Sequence, residues 1–170
     1  MSTITAAPPL AVSEFFVHQL NWSREFFERS TSALTEEHGG FAPQEGLMTV
    51  TQQVAHVADT HDWFHDALLD MEGFDTDFEA MAARVAAVPS LAEARAWYAK
   101  AHDRLLAFVQ SSTAESLAVC LPENDPVIAG ASRAALIGAV VEHTAHHRGS
   151  LAVYARLAGL VPPMPYGEPG

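Results

Sequence analysis

Three histidines fall within five residues, in the run Glu142-His143-Thr144-Ala145-His146-His147-Arg148-Gly149. Another three, His56, His61 and His65, share one earlier stretch, and the 170-residue chain holds nine in all. Imidazole titrates near neutrality and is the commonest metal ligand. His143 and His147 are four apart. On a helix this places one ring a turn above the other, about 6 Å along the axis, and both then reach one ion at about 2.0–2.1 Å. His143 with His146, three apart, is the competing pair. The apolar stripe favours the first: Leu136, Val140, His143, His147, Leu151 and Tyr154 share a face, whereas His146 lies with Ala139, Glu142 and Ser150 on a more solvated one. Burying two neutral histidines without partners is costly, and a metal would take a lone pair from each. The plainer alternative is a pair of core histidines hydrogen-bonded to neighbours. Spacing alone does not decide, because the pair lacks the glutamate of the zinc-protease motif.

A third ligand would come from the earlier stretch. There Val54, Val57, His61, Phe64 and Leu68 make the clearest apolar stripe, which favours His61. His56 lies on an adjacent face with Gln53, Asp59, Thr60 and Trp63, and the pattern leaves the choice open. His18, His38 and His102 read as surface or boundary residues. Cys120, the single cysteine, reads as a small apolar filler and receives no role. Arg148 has two readings, a receptor for an anionic substrate group or an ion pair with Glu142 or another surface acid. Gly149 removes a side chain beside the candidate ligands and would leave room for substrate or for close helix packing.

These side chains need helices to hold them. Phe15, Phe16, Leu20, Trp22, Phe26 and Phe27 recur at helical spacing and predict a helix over 12–34, ended by His38, Gly39, Gly40 and Pro43. Thr49 with Gln52 forms a capping box that opens a second helix over 50–71, closed by Gly73. The stretch 75–88 holds helical turns ahead of Pro89. Ser90 with Glu93 opens a third long helix over 90–111. Residues 113–130, with Pro122, Asn124, Asp125 and Pro126, read as an irregular excursion. The longest helix spans 132–158, stopped by Gly159 and barred from restarting by Pro162 and Pro163. Four long helices predict an all-α bundle. Their connections are longer than a minimal up-down bundle needs, so a crossover is expected.

Composition narrows the function. Nine Lys plus Arg against 21 Asp plus Glu leave a net charge of −12 with no basic cluster, which repels phosphate backbones and anionic membranes. Nucleic acid and membrane are thus not expected partners. A lone cysteine permits no intrachain disulfide, and the first ten residues lack the basic and apolar regions of a signal peptide. With no apolar run of about 18 residues, the expected location is cytoplasmic.

Two stretches carry a resemblance to a known family. The run Val54-Ala55-His56-Val57-Ala58-Asp59-Thr60-His61-Asp62-Trp63 sets an aromatic seven residues after His56. The run His143-Thr144-Ala145-His146-His147-Arg148-Gly149-Ser150-Leu151 is similar to H-x-x-H-H-R-G-Q-L. With the tail Gly159-Leu160-Val161-Pro162-Pro163 and Tyr166-Gly167, the chain resembles the DinB/YfiT superfamily of bacterial four-helix-bundle metalloproteins, over roughly residues 10–167. Its 170 residues suit one domain over 1–170, and the resemblance implies an up-down-down-up bundle that pairs as a homodimer. It places the metal triad on His56, His143 and His147, with His61 and His146 outside it. His61 occupies a position often acidic in relatives, and Ser150 stands where the family has glutamine. Family members include metal-dependent enzymes that use low-molecular-weight thiols such as mycothiol and bacillithiol.

Three neutral imidazoles leave a divalent ion an open coordination position, as in catalytic sites. Zinc or nickel suits such donors, as do copper and iron. The position would hold a water whose pKa falls toward about 7, or a thiolate. The chain is therefore read as a metal-dependent transferase, moving a low-molecular-weight thiol to an electrophile, or as a hydrolase of a small molecule. The alternative is a non-catalytic bundle in which the ion staples the second long helix to the last. No residue is assigned as catalytic.

Overall fold

The computed structural model describes residues 11–167. Four long helices carry the architecture: α1 (Val12–Thr31), α2 (Val50–Asp70), α4 (Leu91–Gln110) and α6 (Arg133–Leu157). Two short ones, α3 (Phe78–Ala86) and α5 (Ala114–Leu117), lie in the connections. Among the described residues there is no strand, only one isolated antiparallel bridge between Cys120 and Ser132.

The ends follow local chemistry. Thr49 and Gln52 form the expected reciprocal box: the threonine hydroxyl accepts from the Gln52 N–H at 3.2 Å, and the Gln52 side-chain oxygen accepts from the Thr49 N–H at 2.9 Å. Ser90 accepts from the Glu93 N–H at 3.1 Å. The two orphan amides of Leu91 and Ala92 are taken by the Glu36 carboxylate instead, both at 3.0 Å. The first helix stops at Thr31, three residues short of expectation. There the Arg95 guanidinium donates to the carbonyls of Thr31 and Leu34, at 2.8 and 3.3 Å, so they need no further helical turn. Met71, with φ of 55°, turns the chain out of α2 ahead of Gly73. Gly159, at φ of 82°, ends α6, a conformation that glycine adopts freely.

Two apolar cores set the chain directions. One gathers Phe27 near the end of α1, Val50 and Val54 at the start of α2, Leu91 and Ala94 at the start of α4, and Leu151 and Ala155 late in α6. The other gathers Leu20 of α1, the late residues Phe64 and Leu68 of α2 and Leu105 and Val109 of α4, and the early Leu136 and Ile137 of α6. α1 and α6 therefore run one way, α2 and α4 the other. This is the up-down-down-up order, and the parallel pair α2 and α4 requires the crossover that carries α3. α2 packs on α4 and α6, α1 packs on α6 and α4, and α3 lies against α2. None of these helices is long and apolar enough to cross a membrane.

Candidate metal centre

The seam between α2 and α6 brings His56, His143 and His147 together. One candidate ligand atom from each lies within 4.8 Å of the others, and Nε2 of His56 stands 3.2 Å from Nε2 of His143. A tetrahedral ion with bonds of about 2.0–2.1 Å spaces its nitrogens roughly 3.3 Å apart, close to that separation. Two neutral Nε2 atoms facing each other share at most one proton, whereas an ion between them would accept a lone pair from each. The residues present thus fit a divalent ion.

The third ring is held from behind. His147 Nδ1–H donates to the side-chain oxygen of Gln53 at 2.5 Å. That oxygen is only an acceptor, so the proton sits on Nδ1 and the lone pair of the neutral ring on Nε2. The Gln53 amide in turn donates to the Tyr154 hydroxyl at 3.5 Å. Burial, joined by the neighbouring ring charges, holds His143 and His147 at about 3. Burial also lowers His56, against the pull of Asp59. All three rings are therefore neutral at physiological pH, the form that binds metal. Gln53 is a residue the sequence reading did not single out. Its signal was present: it lies three residues before His56, on the same face.

His61 and His146 lie elsewhere. His146 is exposed. His61 is buried in the core, where Nδ1–H donates to the Val57 carbonyl at 2.8 Å and the ring packs on Tyr98 and His102 at 5.2 and 5.8 Å. His18 is exposed and His38 half-buried, but His102 is no boundary residue. Its ring is completely buried and neither nitrogen has a partner. The periodicity of its helix explains this, because His102 sits with Tyr98, Ala101, Leu105 and Val109 on the buried side of α4.

Three further readings are corrected. Arg148 makes no ion pair with Glu142: it donates to the Tyr166 hydroxyl at 2.9 Å and lies over the rings of Phe26 and Tyr166. Gly149 is exposed, and a Cβ there would meet no atom within 4 Å, so no close packing requires it. Cys120 is exposed and free rather than an apolar filler.

His56 also borders a cleft of about 470 Å³. It is lined by His56 and Gln52 of α2, by the 46–48 turn with Leu47 and Met48, and by α3 with Phe78, Met81 and Val85. The role of α3 as a wall was invisible in the sequence, which showed only that helical turns were present there.

Comparison with known proteins places this geometry in context. The family profile of the DinB superfamily matches residues 19–151. No curated protein matches the chain. YfiT from Bacillus subtilis, described as a probable metal-dependent hydrolase with an unusual four-helix bundle topology, is similar with a TM-score of 0.69 at 16% identity, over 92% of this chain and 94% of that one. A DinB-like protein from Bacillus cereus gives 0.71 at 21%, over 88% and 95%. The mycothiol-dependent maleylpyruvate isomerase gives 0.68 at 14%, over 89% of this chain but only 63% of that longer one. At these identities the likeness concerns the fold.

Proposed function

The chain belongs to the DinB superfamily, and from that footing we propose that His56, His143 and His147 hold one divalent ion in a metal-dependent enzyme acting on a small molecule. The observation that carries this reading is the double position of His56, a member of the triad and part of the cleft lining. A purely structural ion would need no such opening, whereas a catalytic one must be reached by substrate. When bound on three imidazoles, zinc or nickel supplies Lewis acidity at an open position, enough to keep a water or a thiol deprotonated near neutral pH.

The chain's own residues do the rest. Gln53 and Tyr154 fix the tautomer and the orientation of His147, which raises its quality as a donor. The apolar side chains of the cleft would cover an apolar part of the substrate beside His56 and, once it is bound, strengthen the electrostatics there. The proposed reaction is hydrolysis, or transfer of a low-molecular-weight thiol to an electrophile. YfiT is described as a probable metal-dependent hydrolase and the isomerase as mycothiol-dependent, and these descriptions favour testing both.

We also propose that the chain pairs with a second copy through α1, where Phe15 and Trp22 remain 48% and 52% exposed.

The test is metal analysis of protein purified without an affinity tag, followed by assays with p-nitrophenyl esters and with a thiol plus a haloaromatic electrophile. About one equivalent of zinc or nickel and turnover abolished by a chelator are expected. Turnover that survives complete metal removal would overturn the reading.

A further inference from the structure

The cleft beside His56 contains no charged side chain. Leu47, Met48, Phe78, Met81 and Val85 dominate it, and Gln52 and His56 are its polar members. An anionic group entering it would lose hydration with no protein cation to receive it. Nor does an arginine stand free to reach it. Every arginine of the chain donates to a carboxylate, a carbonyl or a hydroxyl elsewhere. Arg84 shows the point most clearly: it lies on the cleft-wall helix α3 yet donates to the buried Asp59 carboxylate at 2.9 Å. Arg148, next to the triad in sequence, is committed to Tyr166 and Phe26. The net charge of −12 opposes anions at longer range.

We infer that the side-chain lining of the cleft receives an uncharged, apolar group of the substrate, such as an aryl or alkyl moiety, and itself offers nothing to a carboxylate or phosphate. Its volume of about 470 Å³ falls within the range of small-molecule sites, roughly 300–1,000 Å³. The thioether and aromatic walls suit a flat, polarizable group, since Met48 and Met81 adapt their shape and Phe78 offers a ring face. This assignment of substrate class rests on the cleft being the substrate site of the proposed metal centre.

The test uses two probes of one shape, neutral 2-acetylnaphthalene and anionic 2-naphthoate. Each is titrated calorimetrically into the full chain kept metal-free with a chelator, so that the carboxylate gains nothing from an ion. The ketone should bind at least tenfold more tightly. Ala82 and Ala86 line the cleft and are exposed, so Ala82→Asp or Ala86→Asp should fold and weaken the ketone at least tenfold, while Ala82→Lys should reverse the preference toward the carboxylate. Equal binding of both probes, or ketone binding unchanged in both aspartate variants, would overturn the inference. Zinc binding is measured separately on the same proteins. Ketone preference without zinc binding would leave the apolar preference of the cleft standing but remove the metal reading, and with it the assignment of a substrate. Zinc binding without ketone preference would overturn the inference and leave the metal reading standing.

Discussion

The side-chain oxygen of Gln53 lies 2.5 Å from Nδ1 of His147, one turn of α2 before His56. A single helix thus supplies both a candidate ligand and the group that orients another. Removing the amide should leave the ring free to rotate and to take the other tautomer. Gln53→Ala is expected to weaken zinc binding roughly 10–100-fold while the helical circular-dichroism signal is retained. Competition against a chromophoric chelator measures this, and unchanged affinity would show that Gln53 does not orient the ring.

The buried pair His61 and His102 makes an acid-stability prediction. Burial and the neighbouring positive charges hold both rings at about 4, against an ordinary 6.5. Above 6.5 both folded and unfolded chains carry them neutral, and they add no pH dependence. As pH falls from 6.5 toward 4, the unfolded chain binds protons that the folded core refuses, so stability declines across that window. The loss is on the order of 2 kcal/mol for each ring by about pH 4.5. His102→Leu removes a buried ring with two unpartnered nitrogens, and it should raise the melting temperature at pH 5 more than at pH 8. Equal shifts at both pH values would mean that His102 titrates normally.

How much of this was legible can be judged from particular residues. Thr49, Gln52 and Ser90 marked helix starts because capping is a local reaction between a side chain and the next turn. The stripe of α6 was read nearly correctly. Thr144 is buried while His143 and His147 sit half-buried at its edge, where both rings meet His56 of α2. Periodicity rightly marked His61 as buried, but a period reports which face is covered and never by what. His61 turned out to face Tyr98 and His102 of α4, while His56 faces α6. The choice of His56 came from resemblance. The early end of α1 and the cleft wall formed by α3 depend on Arg95 and on tertiary packing, which no local pattern encodes.

Arg84 fastens α3 to α2 through Asp59, whose carboxylate is 2% exposed and has its second oxygen unpartnered. Arg84→Ala should leave that buried charge alone and destabilise the fold by about 2–3 kcal/mol, less than a fully buried pair because the arginine is half-exposed. Arg24→Ala, which breaks exposed pairs with Glu28 and Asp103, should cost under about 1 kcal/mol. Urea denaturation of both variants measures the difference, and equal midpoints would show that the Asp59 pair does not anchor α3.

The exposed aromatic residues of α1 predict association. Light scattering at micromolar concentration should report a dimer, and Trp22→Glu with Phe15→Glu should convert it to a monomer of unchanged helical content. A monomeric parent protein would remove the proposal.

The measurement closest to the central claim is zinc content and zinc affinity across four single alanine variants. His56→Ala, His143→Ala and His147→Ala should each lose bound zinc at least tenfold in affinity, and with it the rise in melting temperature that zinc confers on the parent by mass action. His61→Ala should keep both, because its ring is turned into the core toward α4. Full zinc occupancy in His56→Ala, together with loss in His61→Ala, would contradict the account and move the third ligand to the other histidine.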